Sequence, residues 1–292
     1  MRATVTVPAT AANLGPGFDV FGLALDMLNR VTIDTSGRPG VTWGGEGGGE
    51  LPVDGSDMVS ATIERIAARM GLEPPAYSLH GENEVPLERG LGSSSAATVA
   101  GVVAASLLLE LGWERDPWSV FAAAAEIEGH PDNAAPACFG GFTIALPDGF
   151  VRRRDPHPDL RPVVIVPAVR LATTEARAAL PAEIARADAV FNIAHAALAA
   201  EAFTDDPTLL QRALHDRLHE DLRIELAGMR DVADALRSAR IPFCVSGAGP
   251  TLLAFEQDGD PNVSEELLGL SGGARILRPS IRQEGFTVVH DG

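Results

Sequence analysis

The chain has 292 residues, 46% hydrophobic and 22% charged, which allows one large domain or two ordinary ones with a sizeable core. Its formal net charge of −17 excludes nucleic acid and anionic membranes as expected partners, since both would be repelled. No apolar run reaches the ~18 residues of a membrane-spanning helix, and all 23 basic side chains are arginine, so neither a P-loop lysine nor a lysine nucleophile exists.

Residues 2–7 alternate and predict a strand, not the apolar centre of a signal peptide, which makes the cytoplasm the expected location. ATAANLGPGFD, 9–19, predicts a loop, and 19–25 and 30–36 predict two strands. The glycine-rich WGGEGGGELP, 43–52, predicts a mobile hairpin connection, because no helix follows at once. Val59, Ile63, Ile66 and Met70 recur at helical spacing and predict a helix over 57–71, followed by a short strand at 76–81. Two strongly apolar helices, 93–111 and 116–128, are expected as a pair at the centre of a core. GGFTIAL and FVRRR predict a strand pair turning at PDG, and RPVVIVP, 161–167, a buried strand. From 174 to about 239 the pattern is helical. IPFCVSG and TLLAFEQ predict strands around GAGP, then come a helix over 262–270 and strands near 274–279 and 286–290. The proline-rich RDPHPDLRP, 154–162, marks the boundary between a first domain, 1–156, and a second, 157–292. Cys138 and Cys244 lie in apolar surroundings and are expected buried and unpaired, and no CxxC or HExxH spacing offers a zinc site.

PLERGLGSSSAATVAG, 86–101, puts the most flexible and hydroxyl-rich residues of the chain directly before a helix. A helix N-terminus exposes unpaired N–H groups and the positive end of the macrodipole. Glycine lets the backbone approach a ligand, and serine can cap the helix, bind a phosphate oxygen or ligate magnesium. Gly90, Gly92, Ser93, Ser94 and Ser95 thus form a candidate anion cradle in which neutral donors and a metal replace the missing lysine. A serine-capped helix after an ordinary glycine turn would read the same way, and GLGSSSA is not the Walker pattern. A dinucleotide fingerprint would need a third glycine and a βαβ unit, which neither GLGSSS nor GAGP supplies.

The stretch resembles the phosphate-binding motif of the GHMP kinases, Pro-x-x-x-Gly-Leu-Gly-Ser-Ser-x-Ala, at Pro86, Gly90, Leu91, Gly92, Ser93, Ser94 and Ala96. PATAANLGPGFDVFGLAL, 8–25, is similar to the N-terminal substrate motif of the homoserine kinases in that superfamily, and EIEGHPDNAAPACFGGF, 126–142, resembles them more than their relatives. VSGAGPTLLAF, 245–255, resembles the third superfamily motif. The resemblance implies an α+β fold of two domains. The first, a left-handed βαβ type, is like domain 2 of ribosomal protein S5, the second is ferredoxin-like, and the active site lies in the cleft between them. It also implies ATP-dependent phosphorylation of the homoserine hydroxyl, a step toward threonine, with Mg2+ as cofactor, homoserine and ATP as small-molecule partners, and a homodimer as a common assembly.

The implied roles fall on particular residues. Pro86, Leu87, Glu88, Arg89, Gly90, Leu91, Gly92, Ser93, Ser94, Ser95 and Ala96 would bind ATP. Asn13, Asp19, His130 and Asp132 map onto substrate contacts, as do Thr173 and Arg177 in LATTEARAALP and an arginine in DRLHEDLR, where Arg223 is preferred to Arg217 by its spacing from His219. Carboxylates suit an ammonium, arginine forks suit a carboxylate, and an amide and an imidazole suit the hydroxyl. Ser94 and one of Glu126 and Glu128 would hold the magnesium, with Glu128 preferred because it matches the family's Glu-Gly pair. The short spacing from it to the HPDN aspartate departs from some relatives. No lysine is present to pair with an aspartate, so no strong general base is expected and Asp19 is the residual candidate. Two alternatives stay open: another GHMP kinase acting on mevalonate, a sugar or shikimate, and a non-catalytic ATP-binding regulator.

Overall fold

The computed structural model describes residues 1–257, 263–264, 266, 269 and 274–290. Alternation starts the first strand, with Ala3, Val5 and Val7 buried, but β1 (Arg2–Ala12) runs on through Pro8–Ala12, where the sequence predicts a loop. Pro8, Thr10 and Ala12 on one face are buried as well as Ala9 and Ala11 on the other, so the alternation vanishes while the pairing persists. β2 (Phe21–Asp34) pairs antiparallel with β1 as one strand, not the two expected. Their register shifts between Pro8 and Ala9, opposite the extra Asp26 and Met27, and Pro8 has no N–H to offer the ladder there. β3 (Gly40–Gly45) leads through α1 (Met58–Met70) to β4 (Ser78–Asn83), which pairs parallel with β3. The glycine-rich stretch therefore starts a crossover and not a hairpin. Asp57 caps α1 through the N–H groups of Val59 and Ser60, and Gly71 ends it at φ 65°.

α2 (Ser93–Leu108) is buried nearly throughout and packs against β1, α1 and α3 (Pro117–Glu128). Asp116 caps α3, whose buried face is Val120, Phe121, Ala123 and Ala124, so only the first of the expected pair is buried all round. After α4 (Ala134–Phe139) come β5 (Phe142–Ala145) and β6 (Val151–Arg154), antiparallel as predicted. The first sheet has the order β11-β1-β2-β4-β3, with β5 and β6 branching from the start of β2.

β7 (Arg161–Val166) opens the second sheet, and α5 (Thr173–Ala178), α6 (Arg186–Thr204), α7 (Leu210–Ala213), α8 (Glu220–Leu226) and α9 (Arg230–Ser238) fill the helical stretch. β8 (Phe243–Val245), β9 (Leu252–Glu256) and β10 (Arg275–Leu277) complete the order β10-β7-β9-β8. Period-two alternation divides its faces: Val164, Val166, Leu253 and Phe255 join Ala11, Leu23 and Phe142 of the first sheet in one core, while Val163, Ile165, Leu252 and Ala254 face Ile224 and Leu236 of α8 and α9. The 156/157 division falls in the connection from β6 to β7, and β11 (Thr287–His290) returns to pair with β1. The helix expected over 262–270 lies almost wholly outside the described residues. Cys138 and Cys244 are buried and unpaired. Among the described residues, no helix is long and apolar enough to cross a membrane.

Candidate active site

The glycine-serine loop closes against both sheets. Gly90 and Gly92 adopt φ of 72° and 68°, and a Cβ would stand 2.2 Å from the Ser246 carbonyl oxygen at the first and 1.9 Å from Thr10 Oγ1 at the second. Both positions therefore require glycine on two counts, backbone conformation and space. Ser246 Oγ donates to the Gly90 carbonyl at 2.7 Å, and the Thr10 N–H donates to the Leu91 carbonyl. α2 begins at Ser93 with Gly92 before it, and no side chain caps it. The preceding residues brace the loop: Pro86 is buried, and Leu91 lies in the core between the sheets. Leu87 packs against Gly47, where a Cβ would meet its Cδ1 at 2.2 Å. The exposed Glu88 carboxylate lies 3.7 Å from Arg170, and Arg89 donates to the Pro167 and Ala168 carbonyls.

Glu128, the last residue of α3, gathers three hydroxyl donors. Ser94 lies at 3.1 Å, Ser95 at 2.6 Å and Thr98 at 2.7 Å. The other glutamate, Glu126, points to the surface and pairs with Arg69. Thr98 was missed in the sequence, although it sits one helical turn from Ser94 and Ser95 and so on their face. Asn133 was missed as well: its Oδ1 accepts from Thr10 Oγ1 at 2.8 Å, tying the HPDN turn to the strand beside Gly92.

The second cluster gathers around the turn after β1. Asn13, Leu14 and Asp19 are non-glycine residues at φ of 70°, 48° and 57°, which the surroundings over-determine. Asn13 donates to the Gly247 carbonyl at 2.7 Å and accepts from the Asp19 N–H at 2.9 Å. Asp19 and Arg177 form a two-pronged pair at 2.7 and 3.1 Å, which raises the Arg177 pKa. Arg223, 1% exposed, donates to the Gly247 carbonyl at 2.7 Å, and burial pushes its pKa down to about 10, with repulsion from Arg177 adding to the shift. The Nε–H groups of Arg177 and Arg223 are buried without an acceptor. His130 Nδ1 lies 2.9 Å from Asp132 Oδ1, and this hydrogen bond raises the imidazole above its ordinary pKa against the opposing effect of burial. Asp132 also bears electrostatically on Arg177 and Arg223, which joins the pair to this cluster. Thr173 heads α5 at an exposed position, with no hydrogen bond drawing it into the cluster. Arg217 stands apart, 3.3 Å from Asp188 and 3.9 Å over the Phe191 ring.

The site thus carries an uncapped helix N-terminus with an adjacent oxygen cluster, and, beginning two residues beyond Glu128, a second cluster of two guanidinium groups and two carboxylates. The first suits a polyphosphate and a hard cation, the second a small ligand bearing both charges. A family model for the GHMP kinases N terminal domain matches residues 57–141. The homoserine kinase of Clavibacter michiganensis subsp. michiganensis is 41% identical over 88% of this chain and 83% of its own length. That of Streptomyces coelicolor is 38% identical over 98% of this chain and 94% of its own. The crystal structure of homoserine kinase from Cytophaga hutchinsonii superposes with a TM-score of 0.80 at 28% identity, covering 99% of this chain and 97% of that one. A likeness this extended in sequence and fold assigns the chain to the homoserine kinase family of the GHMP kinases.

Proposed function

We propose that this kinase transfers the γ-phosphoryl group of ATP to the side-chain hydroxyl of L-homoserine, giving O-phospho-L-homoserine. The observation that carries the reading is adjacency. Glu128, bonded to Ser94 and Ser95, and His130, bonded to Asp132 beside the two arginines, are two residues apart on one turn. Phosphoryl transfer asks mainly for positioning and charge neutralisation. In this reading the N–H groups from Gly90 to Ser95, braced by Pro86–Arg89 and by Leu91 and Ala96 in the core, hold the triphosphate. Ser94 and Glu128 offer hard oxygen donors that suit Mg2+, which when bound would neutralise phosphate charge. Asp19 and Asp132 take the substrate ammonium, Arg177 and Arg223 its carboxylate, and Asn13 and His130 orient the hydroxyl, with the exposed Thr173 as a further substrate contact. Both Asp19 oxygens face Arg177, which favours an orienting role over proton abstraction, so the hydroxyl proton passes to phosphate or water during transfer. A cytoplasmic homodimer, with neither nucleic acid nor membrane as partner, belongs to the same reading.

The test is a panel of hydroxyl acceptors with ATP, with and without magnesium, read by ADP release and by mass of the product. Turnover with homoserine, giving a product one phosphate heavier, is expected. Turnover with mevalonate, a sugar or shikimate instead, or nucleotide binding with no turnover at all, would overturn it.

A further inference from the structure

His219, the residue before α8, is 2% exposed and lies beneath the acceptor cluster. Its Nε2 is 2.9 Å from the Gly15 carbonyl oxygen, which can only accept, so Nε2 carries the proton. Its Nδ1 is 3.1 Å from Nη1 of Arg223, which can only donate, so Nδ1 is unprotonated. These two partners fix one neutral tautomer. Burial acts in the same direction and depresses the imidazole pKa, outweighing Asp216 at 3.7 Å from Nε2. One Asp216 oxygen accepts the backbone N–H groups of Leu218, His219 and Glu220, which fixes the point from which the ring projects.

The network extends beyond His219 and Arg223. Nη1 of Arg223 also donates to the Gly247 carbonyl, which accepts from Asn13 too. The Phe18 ring lies 5.1 Å from the His219 ring, with the Arg223 guanidinium 5.4 Å and the Arg177 guanidinium 6.0 Å from it. Among the described residues Arg223 has no carboxylate at ion-pair distance; its acceptors are a carbonyl and an imidazole. The choice has a physical consequence. A carboxylate at position 219 would neutralise Arg223 and compete with an anionic ligand, whereas a neutral acceptor orients the guanidinium and leaves its charge available.

Building on the homoserine reading, we propose that His219 is a positioning residue for carboxylate recognition, its neutral imidazole holding the Arg223 guanidinium in the orientation that receives the substrate carboxylate. The test compares His219→Leu, which removes both hydrogen bonds, with His219→Gln, which keeps a donor and an acceptor. Acceptors are homoserine and 3-amino-1-propanol, its analogue without the carboxylate. In H219L the KM for homoserine should rise roughly 10–100-fold while kcat, the KM for ATP and turnover of the aminopropanol stay within about threefold. H219Q should stay within about fivefold of wild type. Equal losses in the two variants, or an equal loss with the aminopropanol, would reduce His219 to a structural role and overturn the proposal. Nitrogen-15 spectra of the wild-type imidazoles give an answer even if neither variant folds. A His219 ring protonated at Nε2 alone between pH 6 and 8 is expected, and a charged or Nδ1-protonated ring refutes the proposal. Absence of homoserine turnover in the wild type would instead remove the functional reading and leave the tautomer result standing.

Discussion

At Glu128 the distinction between shape and charge can be measured. Its Oε1 accepts hydroxyl hydrogens from Ser94 and Thr98 and its Oε2 one from Ser95; a neutral amide keeps the first two on its oxygen and turns its NH2 to donate to the Ser95 hydroxyl oxygen. Glu128→Gln should therefore fold and melt close to wild type, yet lose roughly 10²–10³ in kcat, because the negative charge that a metal-phosphate complex would meet is gone. Glu126→Gln removes an exposed pair with Arg69 and should leave turnover within about twofold, since such pairs contribute little. Steady-state kinetics of the two variants at several magnesium concentrations decides the matter, and a matching loss in both would break the assignment. The neighbouring His130 carries a second prediction. Its hydrogen bond to Asp132 raises the folded pKa above the unfolded value near 6.5. The stabilisation is then complete below that unfolded value and is lost as pH rises through the folded one. Asp132→Asn should cost more stability at pH 6 than at pH 8.5 in urea melts, and should bring the His130 titration down toward the ordinary value. A ring that titrates unchanged in the variant would show that Asp132 is not the cause.

Among the elements, the loop before α2 gives the sharpest contrast. At Gly92 a methyl would stand 1.9 Å from Thr10 Oγ1, which is itself held by Asn133, and φ is 68°. At Gly112 φ is 77°, but nothing lies within 4 Å of the added carbon. Gly112→Ala should cost the backbone penalty alone, about 1 kcal/mol, while Gly92→Ala adds displacement of the Thr10–Asn133 contact and reaches about 3 kcal/mol, with weakened ATP binding. Thermal melts and nucleotide titrations of both variants check this; equal effects would mean that the loop yields freely. The contrast also shows what local sequence can convey. Asp57 and Asp116 cap α1 and α3, and the glycines of GLGSSS take the left-handed turn before α2, because capping and left-handed glycines are properties of a few adjacent residues. The continuation of β1 to Ala12 was hidden because both its faces are covered, and the two half-strands fused because a bulge at Asp26 and Met27 absorbs the irregularity. Asn13, Asp19, Arg177 and Arg223, proposed above to hold the acceptor, were legible only through resemblance. Asn13 and Arg223 meet at the Gly247 carbonyl and Arg177 reaches Asn13 through Asp19, and a backbone acceptor more than two hundred positions from Asn13 leaves no periodic trace.

For the whole molecule, stability depends on a carboxyl group buried in the second half of the fold. Glu220 is 7% exposed and accepts the Val245 N–H at 2.6 Å, joining α8 to β8 directly before the turn that carries Gly247. Burial pushes its pKa up to about 8, and the nearby Asp216 adds to the effect. The folded protein thus favours the protonated form, while the unfolded chain ionises near 4.5. The contribution of this group to stability is therefore complete below about pH 4.5, declines as pH rises toward 8, and is lowest above that. A net charge of −17 acts in the same direction, since general repulsion also grows as the remaining groups lose protons. Glu220→Gln separates the two contributions. The amide oxygen can still accept from Val245 and its NH2 stands where the acid O–H was, but the side chain cannot ionise. The variant should melt about 2 °C or more above wild type at pH 8.5, with the advantage vanishing near pH 5, while the slope from general repulsion remains in both proteins. A constant offset at all pH values would mean that Glu220 keeps its charge when buried, and the link between α8 and β8 would then have to be a carboxylate accepting from the backbone rather than an acid.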